Sequence, residues 1–196
     1  MTNNAQDKIR PAIFASGSGS NAGEVMKRFG QHPQMEVALI VTNNPNAGVI
    51  ERAQRHSVEV LVVENKTLND PEASLTPLQS RKIDWVVLAG WLRLIPTFLI
   101  EAFPHRIVNI HPALLPKFGG KGMYGKHVHQ AVFDQKEKES GITIHFVNAH
   151  FDEGEIIEQF KTELSEADTP AIIEQKVRAL EINHYASVVE RLVLSA

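Results

Sequence analysis

The sequence of 196 residues contains no cysteine, and this absence removes several kinds of chemistry. Disulfide bonds, thiolate zinc sites and cysteine nucleophiles are all excluded. Lysine and arginine (20 residues) do not outnumber aspartate and glutamate (23), and the net charge is −3. Because no overall basic field is present, the composition favours no nucleic-acid partner.

Long apolar runs are also missing. No segment approaches the roughly 18 apolar residues that a membrane-spanning helix needs, and the N-terminal MTNNAQDKIRP lacks the apolar core of a signal peptide. The apolar fraction (43%) and the charged fraction (22%) are those of an ordinary globular protein. We therefore expect a cytoplasmic protein with no membrane partner, folded as one domain over residues 1–196, with residues 1–8 as a flexible tail.

Short apolar segments alternate with helical patterns up to about residue 140, which predicts parallel strands connected by helices. The strongest predicted strand, residues 83–89, is almost continuously apolar, as strands buried on both faces of a sheet are. Residues 142–147 and 156–164 form a predicted hairpin, and a long helix begins at Thr169. The pattern indicates an α/β fold with a doubly wound, mostly parallel, Rossmann-like sheet that is mixed at its C-terminal edge.

A glycine-rich turn, residues 16–21 (SGSGSN), follows the first predicted strand and opens a helix. In this context the G-x-G-x-x-A spacing indicates anion binding by bare backbone N–H groups and a helix N-terminus. A dinucleotide site would also need a carboxylate at the end of the second strand, where residues 42–44 are TNN. The turn therefore favours a monophosphate, with Ser20 and Asn21 as added side-chain donors. A ligand-free turn in which either residue caps the helix is the alternative.

Two polar residues lie at the end of the fifth predicted strand, residues 106–109, and just after it. Asn109 and His111 are two positions apart, so both face the same side of an extended chain. An amide that donates to a developing oxyanion, beside an imidazole that transfers a proton, suits acyl transfer. Taken alone, a histidine at a strand end is more often a structural hydrogen-bonding residue.

Two carboxylates are further candidates. Asp152, in the predicted turn 150–154, would favour the protonated form of His111 if the two were close. The sequence spacing does not show that Asp152 lies near His111. An aspartate in a turn that contains glycine is also an ordinary turn residue. Glu181, in the last predicted helix, could receive an amine or ribose hydroxyls, or lie on the helix surface.

The other histidines favour structural roles. His127 and His129 do not share a helix face, so we expect no metal site. His145 alternates within a predicted strand and is expected to pack or to support other site residues. Residues 117–126 (KFGGKGMYGK) contain four glycines in ten positions and predict a flexible, solvated loop.

Taken together, several segments resemble the folate-dependent glycinamide ribonucleotide formyltransferases. These segments occur in the same order as in the family, and they cover nearly the whole chain from residue 10. The matching segments are SGSGSN at 16–21, LAGWLRLI at 88–95, NIHPALLPKF at 109–118, GITIHFVNAHFDEG at 141–154 and the terminal helix. NIHPALLP followed by HFV and an aspartate is highly specific to enzymes that transfer formyl groups.

This resemblance implies that 10-formyltetrahydrofolate, as co-substrate, donates a formyl group to the amine of phosphoribosyl glycinamide in de novo purine biosynthesis. It implies that Asn109 and His111 hold the oxygen of a tetrahedral intermediate. His111 would act as general acid, and Asp152 would keep it protonated. No metal is required.

The resemblance also implies two groups of binding residues. Those that match the family's acceptor site are Gly19, Ser20, Asn21 and Glu181. Those that match its folate site are Leu92, Arg93, Leu94, Ile95 and Asn109.

Some segments depart from the family pattern. Residues 117–126 form a longer loop than the compact form of the family. In residues 64–77 no arginine aligns with the one that the family often uses near the folate, and Lys66 is only a weak candidate. Arg178 stands where the family often has a neutral polar residue.

Other functions remain as alternatives. The related formyltetrahydrofolate hydrolase carries an extra N-terminal domain, whereas only about nine residues precede the first predicted strand here. The formyltransferase for initiator methionyl-tRNA carries a C-terminal RNA-binding domain, and this sequence ends with its last helix. A nicotinamide-dependent oxidoreductase is disfavoured by the missing carboxylate, and a non-catalytic nucleotide-binding module would leave Asn109, His111 and Asp152 without a role. Small-molecule substrates and a monomer or homodimer are expected.

Overall fold

The structure is a computed structural model, and it describes residues 8–195. The described chain divides into two compact units. One comprises the chain up to Trp91 together with Leu192 and the residues after it, and the other comprises Leu92–Arg191. The single domain predicted over residues 1–196 stays a prediction, and residues 1–7 of the predicted tail lie outside the described residues.

The first unit contains four parallel strands in the order β3-β2-β1-β4. Strands β1, β2 and β4 are buried along their whole length, and apart from Thr42 at the end of β2 their residues are apolar, as expected of strands covered on both faces. The elements are β1 (Pro11–Phe14), α1 (Ser20–Phe29), β2 (Leu39–Thr42), α2 (Val49–Arg55), β3 (Glu59–Val62), α3 (Pro71–Ser74), α4 (Thr76–Ser80) and β4 (Trp85–Leu88).

The second unit contains three antiparallel strands in the order β5-β6-β7. Its helix α7 begins after Thr169, whose side-chain hydroxyl accepts a hydrogen bond of 3.4 Å from the backbone N–H of Ile172. The elements are α5 (Thr97–Ala102), β5 (Ile107–His111), α6 (Lys126–Asp134), β6 (Glu139–Phe146), β7 (Ile156–Glu163) and α7 (Pro170–Leu194).

The predicted doubly wound, mostly parallel α/β fold with antiparallel strands at its C-terminal end is confirmed. Two local predictions were wrong. The fifth strand continues to His111 instead of ending at Asn109, because both residues pair with β6. The polar residues 64–77, whose two prolines and weak periodicity predict a loop with at most a short helix, contain α3 and the start of α4. Over residues 8–195, no helix is both long enough and apolar enough to span a membrane.

Candidate active site

Strand β5 places the two candidate residues identified in NIHP. His111 is 3% exposed, and Asn109 is partly exposed between two buried neighbours. Antiparallel pairing sets Asn109 opposite His145 and His111 opposite Thr143. Directly opposite residues of paired strands have neighbouring side chains, so β6 supplies one supporting residue for each member of the pair.

Thr143 anchors the segment that follows His111. Its buried hydroxyl donates to the carbonyl of Ala113 (2.7 Å) and accepts from the N–H of Leu115 (3.0 Å). Gln159 on β7 donates to the same hydroxyl and to the carbonyl of Leu115. These bonds satisfy backbone groups of a buried irregular segment, and they hold the chain that leaves the strand at His111.

Asp152 lies in the turn after β6, and the structure brings it to the pair on β5. Its Oδ2 lies 3.4 Å from Nδ1 of His111, and its Oδ1 lies 3.5 Å from Nδ2 of Asn109. The turn fits closely on the end of β6, because a Cβ at Gly154 would lie 1.6 Å from the carbonyl oxygen of Phe146. Sequence spacing could not predict this proximity, since it depends on how tightly the turn folds back.

Both ring nitrogens of His111 face oxygen acceptors. Nε2 lies 2.7 Å from the carbonyl oxygen of Phe118, and Nδ1 faces the Asp152 carboxylate. Neither a carbonyl nor a carboxylate can donate, so only the imidazolium, with two N–H groups, satisfies both contacts. His111 is therefore held between two oxygen acceptors, one at each ring nitrogen.

His145 orients Asn109, a role that sequence reasoning left open. His145 is 2% exposed, and its Nδ1 lies 2.7 Å from the carbonyl oxygen of Phe146, so Nδ1 carries the hydrogen. Its Nε2 lies 3.1 Å from Nδ2 of Asn109 and 3.7 Å from Oδ1 of Asp152, so the ring contacts both of these side chains. The strand register, which pairs His145 with Asn109, is the signal that would have identified this support.

The Asp152 carboxylate is ionised at neutral pH. Burial on its own would raise the pKa of Asp152, but hydrogen bonding from His111 and His145, the charge of His111 and the N–H of Gly120 together hold the pKa of this carboxyl well below its usual range. The shortest of these contacts, 2.9 Å, comes from the N–H of Gly120. A buried anion thus faces the imidazole of His111.

The loop predicted to be flexible is anchored at its beginning. The carbonyl of Phe118 accepts from His111, and the N–H of Gly120 donates to Asp152. Lys117 forms an ion pair of 2.7 Å with Glu137. Residues 117–120 therefore belong to the wall of this site.

The glycine-rich turn lies in the first unit. Gly19 precedes α1 with φ of 69°, a left-handed conformation that glycine adopts without strain. Ser20 and Asn21 begin the helix, and neither caps it, so the capping alternative is wrong. Asn21 is 7% exposed, and its Oδ1 has no hydrogen-bond partner within residues 8–195.

Replacing Gly19 with alanine is expected to lower the free energy of unfolding by at least about 1–3 kcal/mol. The new Cβ would require a strained φ and would lie 2.6 Å from Cβ of Val49. Chemical denaturation would measure the loss. Gly17→Ala is the matched control, because a Cβ at Gly17 would meet no atom within 4 Å; equal stability of the two variants would contradict the prediction.

Nearly the whole chain matches one known protein family. The family described as formyl transferase matches residues 9–189. This chain belongs to the formyl transferase family. The candidate site described above lies in segments that the family match includes.

Individual formyltransferases are also similar to the chain. It is 42% identical over 185 residues to the chloroplastic phosphoribosylglycinamide formyltransferase of Arabidopsis thaliana, covering 91% of this chain and 63% of that protein. The chain thus spans less than two thirds of that relative. It is 36% identical over 187 residues to the Bacillus subtilis phosphoribosylglycinamide formyltransferase, covering 93% of each. The crystal structure of the Bacillus halodurans enzyme has a TM-score of 0.83 and 39% identity, covering 94% of this chain and 95% of that one.

The segment expected to bind folate in this formyl transferase family member begins the second unit. Leu92 is 49% exposed, Leu94 is 43% exposed and Arg93 is also exposed, whereas Ile95 is buried at 3%. Residues 92–94 are therefore exposed, and the buried Ile95 anchors the segment.

The remaining predicted residues lie in α7 and in the first unit. Burial, and then the charge of Glu181, raise the pKa of Tyr185 well above its usual value, so the Glu181 carboxylate lies near this buried hydroxyl. Arg178 is exposed on the same helix. Lys66 is exposed and pairs with Glu64 at 2.8 Å. No group of three histidine, aspartate or glutamate residues that could hold a metal ion occurs in residues 8–195.

Proposed function

We propose that this chain transfers the formyl group of 10-formyltetrahydrofolate to the amine of phosphoribosyl glycinamide, giving the N-formyl product of de novo purine biosynthesis. The observation that carries the proposal is the buried carboxylate of Asp152 against His111, with Asn109 alongside. The relatives named as phosphoribosylglycinamide formyltransferases support the choice of acceptor.

The chemistry requires an oxygen to gain negative charge. When the acceptor amine attacks the formyl carbon, a C–N bond forms, the carbonyl oxygen becomes an oxyanion and the amine becomes an ammonium. The ammonium then loses one proton and the folate nitrogen gains one, and the C–N bond to the folate breaks as the oxyanion becomes a carbonyl again. One preorganised donor to such an oxyanion contributes about 2.7–4 kcal/mol. Proton transfer by a positioned side chain contributes about 10²–10⁴-fold in rate.

His111 supplies the proton and the principal donor in this proposal. Its Nε2–H donates to the carbonyl of Phe118 in the described structure, and the substrate oxygen takes the place of that carbonyl. The ionised Asp152 stabilises the imidazolium from the opposite nitrogen. The ring therefore stays a donor until the oxyanion forms.

Asn109 supplies the second donor. Its Nδ2 carries two hydrogens, and the contact with His145 (3.1 Å) is shorter than the contact with Asp152 (3.5 Å). The weaker contact is the one that a substrate oxygen replaces, because a hydrogen bond of this length contributes little. The contact with His145 holds the Asn109 amide in this orientation during the reaction.

Binding of the two small-molecule substrates is assigned to separate segments. Gly19, Ser20 and Asn21 bind the phosphate of the acceptor, and Glu181 contacts the acceptor. Backbone groups of Leu92, Arg93, Leu94 and Ile95 recognise the pterin ring of the folate. The exposed residues 92–94 and the bare backbone at Gly19 support these roles.

A formyl-transfer assay with three acceptors tests the proposal. Purified protein and 10-formyltetrahydrofolate are incubated with phosphoribosyl glycinamide, with water alone, or with methionyl-tRNA, and formylated product and released tetrahydrofolate are measured. We expect rapid product formation with phosphoribosyl glycinamide only. Release of tetrahydrofolate at the same rate in water alone would indicate a hydrolase. Formylated tRNA would indicate an enzyme that acts on methionyl-tRNA, and either result would overturn the proposal.

A further inference from the structure

Helix α2 holds the glycine-rich turn through the backbone carbonyls of the turn. The N–H of Val49 donates to the carbonyl of Gly17 at 3.1 Å. The side chain of Arg52 donates through Nε to the carbonyl of Ser18 at 2.8 Å. Both carbonyls are therefore directed at α2.

The direction of these carbonyls sets the direction of the N–H groups that follow them. In a trans peptide the C=O of one residue and the N–H of the next point in opposite directions. The N–H of Ser18 and the N–H of Gly19 thus face away from α2. Together with the first N–H groups of α1, they form the type of donor array that binds anions.

Arg52 also lies against helix α1 at Gly23. A Cβ at Gly23 would lie 3.4 Å from Nη1 of Arg52 and 3.5 Å from its Cδ, which is ordinary van der Waals contact. The guanidinium is therefore next to the first turns of α1, and a side chain larger than that of alanine at Gly23 would compete with it for space.

The charge of Arg52 is available at this turn. The neighbouring Glu51 pairs instead with Arg55 at 2.5 Å. Within residues 8–195, neither Nη1 nor Nη2 of Arg52 makes a hydrogen bond or an ion pair. Residues 16–21 contain no lysine or arginine, and Arg52 of α2 brings a positive charge into contact with the turn.

A second feature of the turn also indicates a ligand. The amide of Asn21 is more than nine-tenths buried, and its oxygen has no hydrogen-bond partner in the described chain. Buried side-chain polar atoms are usually paired. Because the amide nitrogen and oxygen can exchange places by a flip, this side chain can offer its NH₂ to an anion.

We infer that Arg52 is a positioning residue for phosphate binding at residues 17–21. Its hydrogen bond to Ser18 fixes the peptide whose N–H at Gly19 faces the phosphate, and its charge favours a dianionic ligand. The inference rests on the proposed function, since the phosphate belongs to the proposed acceptor. Arg52 acts through the turn and takes no part in the transfer itself.

Binding measured without turnover tests this role. Calorimetric titrations use phosphoribosyl glycinamide, its dephosphorylated riboside and ribose 5-phosphate as probes. We expect Arg52→Met to weaken both phosphorylated probes by about tenfold or more, the effect of losing one charge-assisted hydrogen bond. Affinity for the riboside should not change, and Arg52→Lys should recover most of the loss.

Two further variants separate positioning from general stability. Arg55→Met, one turn away on the same exposed helix face, is the matched control and should leave the affinity for every probe unchanged. Gly23→Val should weaken the phosphorylated probes as Arg52→Met does, because its side chain displaces the guanidinium and leaves the charge in place.

Several results would overturn the inference. They are wild-type affinity of Arg52→Met for ribose 5-phosphate, equal losses for the riboside and the phosphorylated probes, or no recovery with lysine. Failure of the proposed function is distinguishable: a wild-type protein that does not formylate phosphoribosyl glycinamide yet binds ribose 5-phosphate through Arg52 would refute the reaction and leave the phosphate site intact.

Discussion

His111→Ala is expected to lower kcat by about 10²–10⁴-fold, the usual contribution of a positioned proton donor. His111 is 3% exposed and lies between a carbonyl and a carboxylate, so the variant removes the ring that connects Asp152 with the carbonyl of Phe118. Steady-state kinetics with phosphoribosyl glycinamide measure the loss, and equilibrium binding shows whether the folate affinity is retained.

Controls separate chemistry from folding in this experiment. His127→Ala should keep wild-type kcat, because His127 is exposed and its ring contacts only Tyr124 among the aromatic residues of the described chain. His111→Gln keeps more of the buried volume and should still lose most of the activity. A near-normal kcat in either His111 variant would refute the assigned role.

Asp152→Asn is expected to reduce kcat by a similar factor of about 10²–10⁴. The neutral amide no longer stabilises the imidazolium of His111, which faces Oδ2 at 3.4 Å. Steady-state kinetics with phosphoribosyl glycinamide measure the loss, and an unchanged kcat would mean that the two residues do not act together.

The same variant should change how stability depends on pH. The pKa of Asp152 is lowered in the folded protein from its ordinary value of 3.8. A carboxyl with a lowered pKa contributes stability above its unfolded value, and this contribution is lost as the pH falls through the folded value. Between pH 7 and pH 3, wild type should therefore lose more unfolding free energy in urea than Asp152→Asn. Parallel curves would contradict an ionised, stabilising Asp152.

Local sequence patterns determined much of this protein. The run of apolar residues at 83–89 predicted a buried parallel strand, and β4 (Trp85–Leu88) is buried throughout. The SGSGSN turn before a helix predicted the bare backbone at Gly19, because few other residues adopt its φ of 69°. Two-residue alternation placed Asn109 and His111 on one side of the chain.

Contacts between segments distant in sequence required the tertiary structure. Asp152 meets His111 only because Gly154 lets the turn fold onto the end of β6. His145 supports Asn109 because of a strand register that hydrophobic patterns do not encode residue by residue. Arg52, which lies in α2 and is 34 positions further along the chain, donates a hydrogen bond to the carbonyl of Ser18. Periodicity reports the burial of one element at a time, whereas these polar contacts depend on the packing of several elements together.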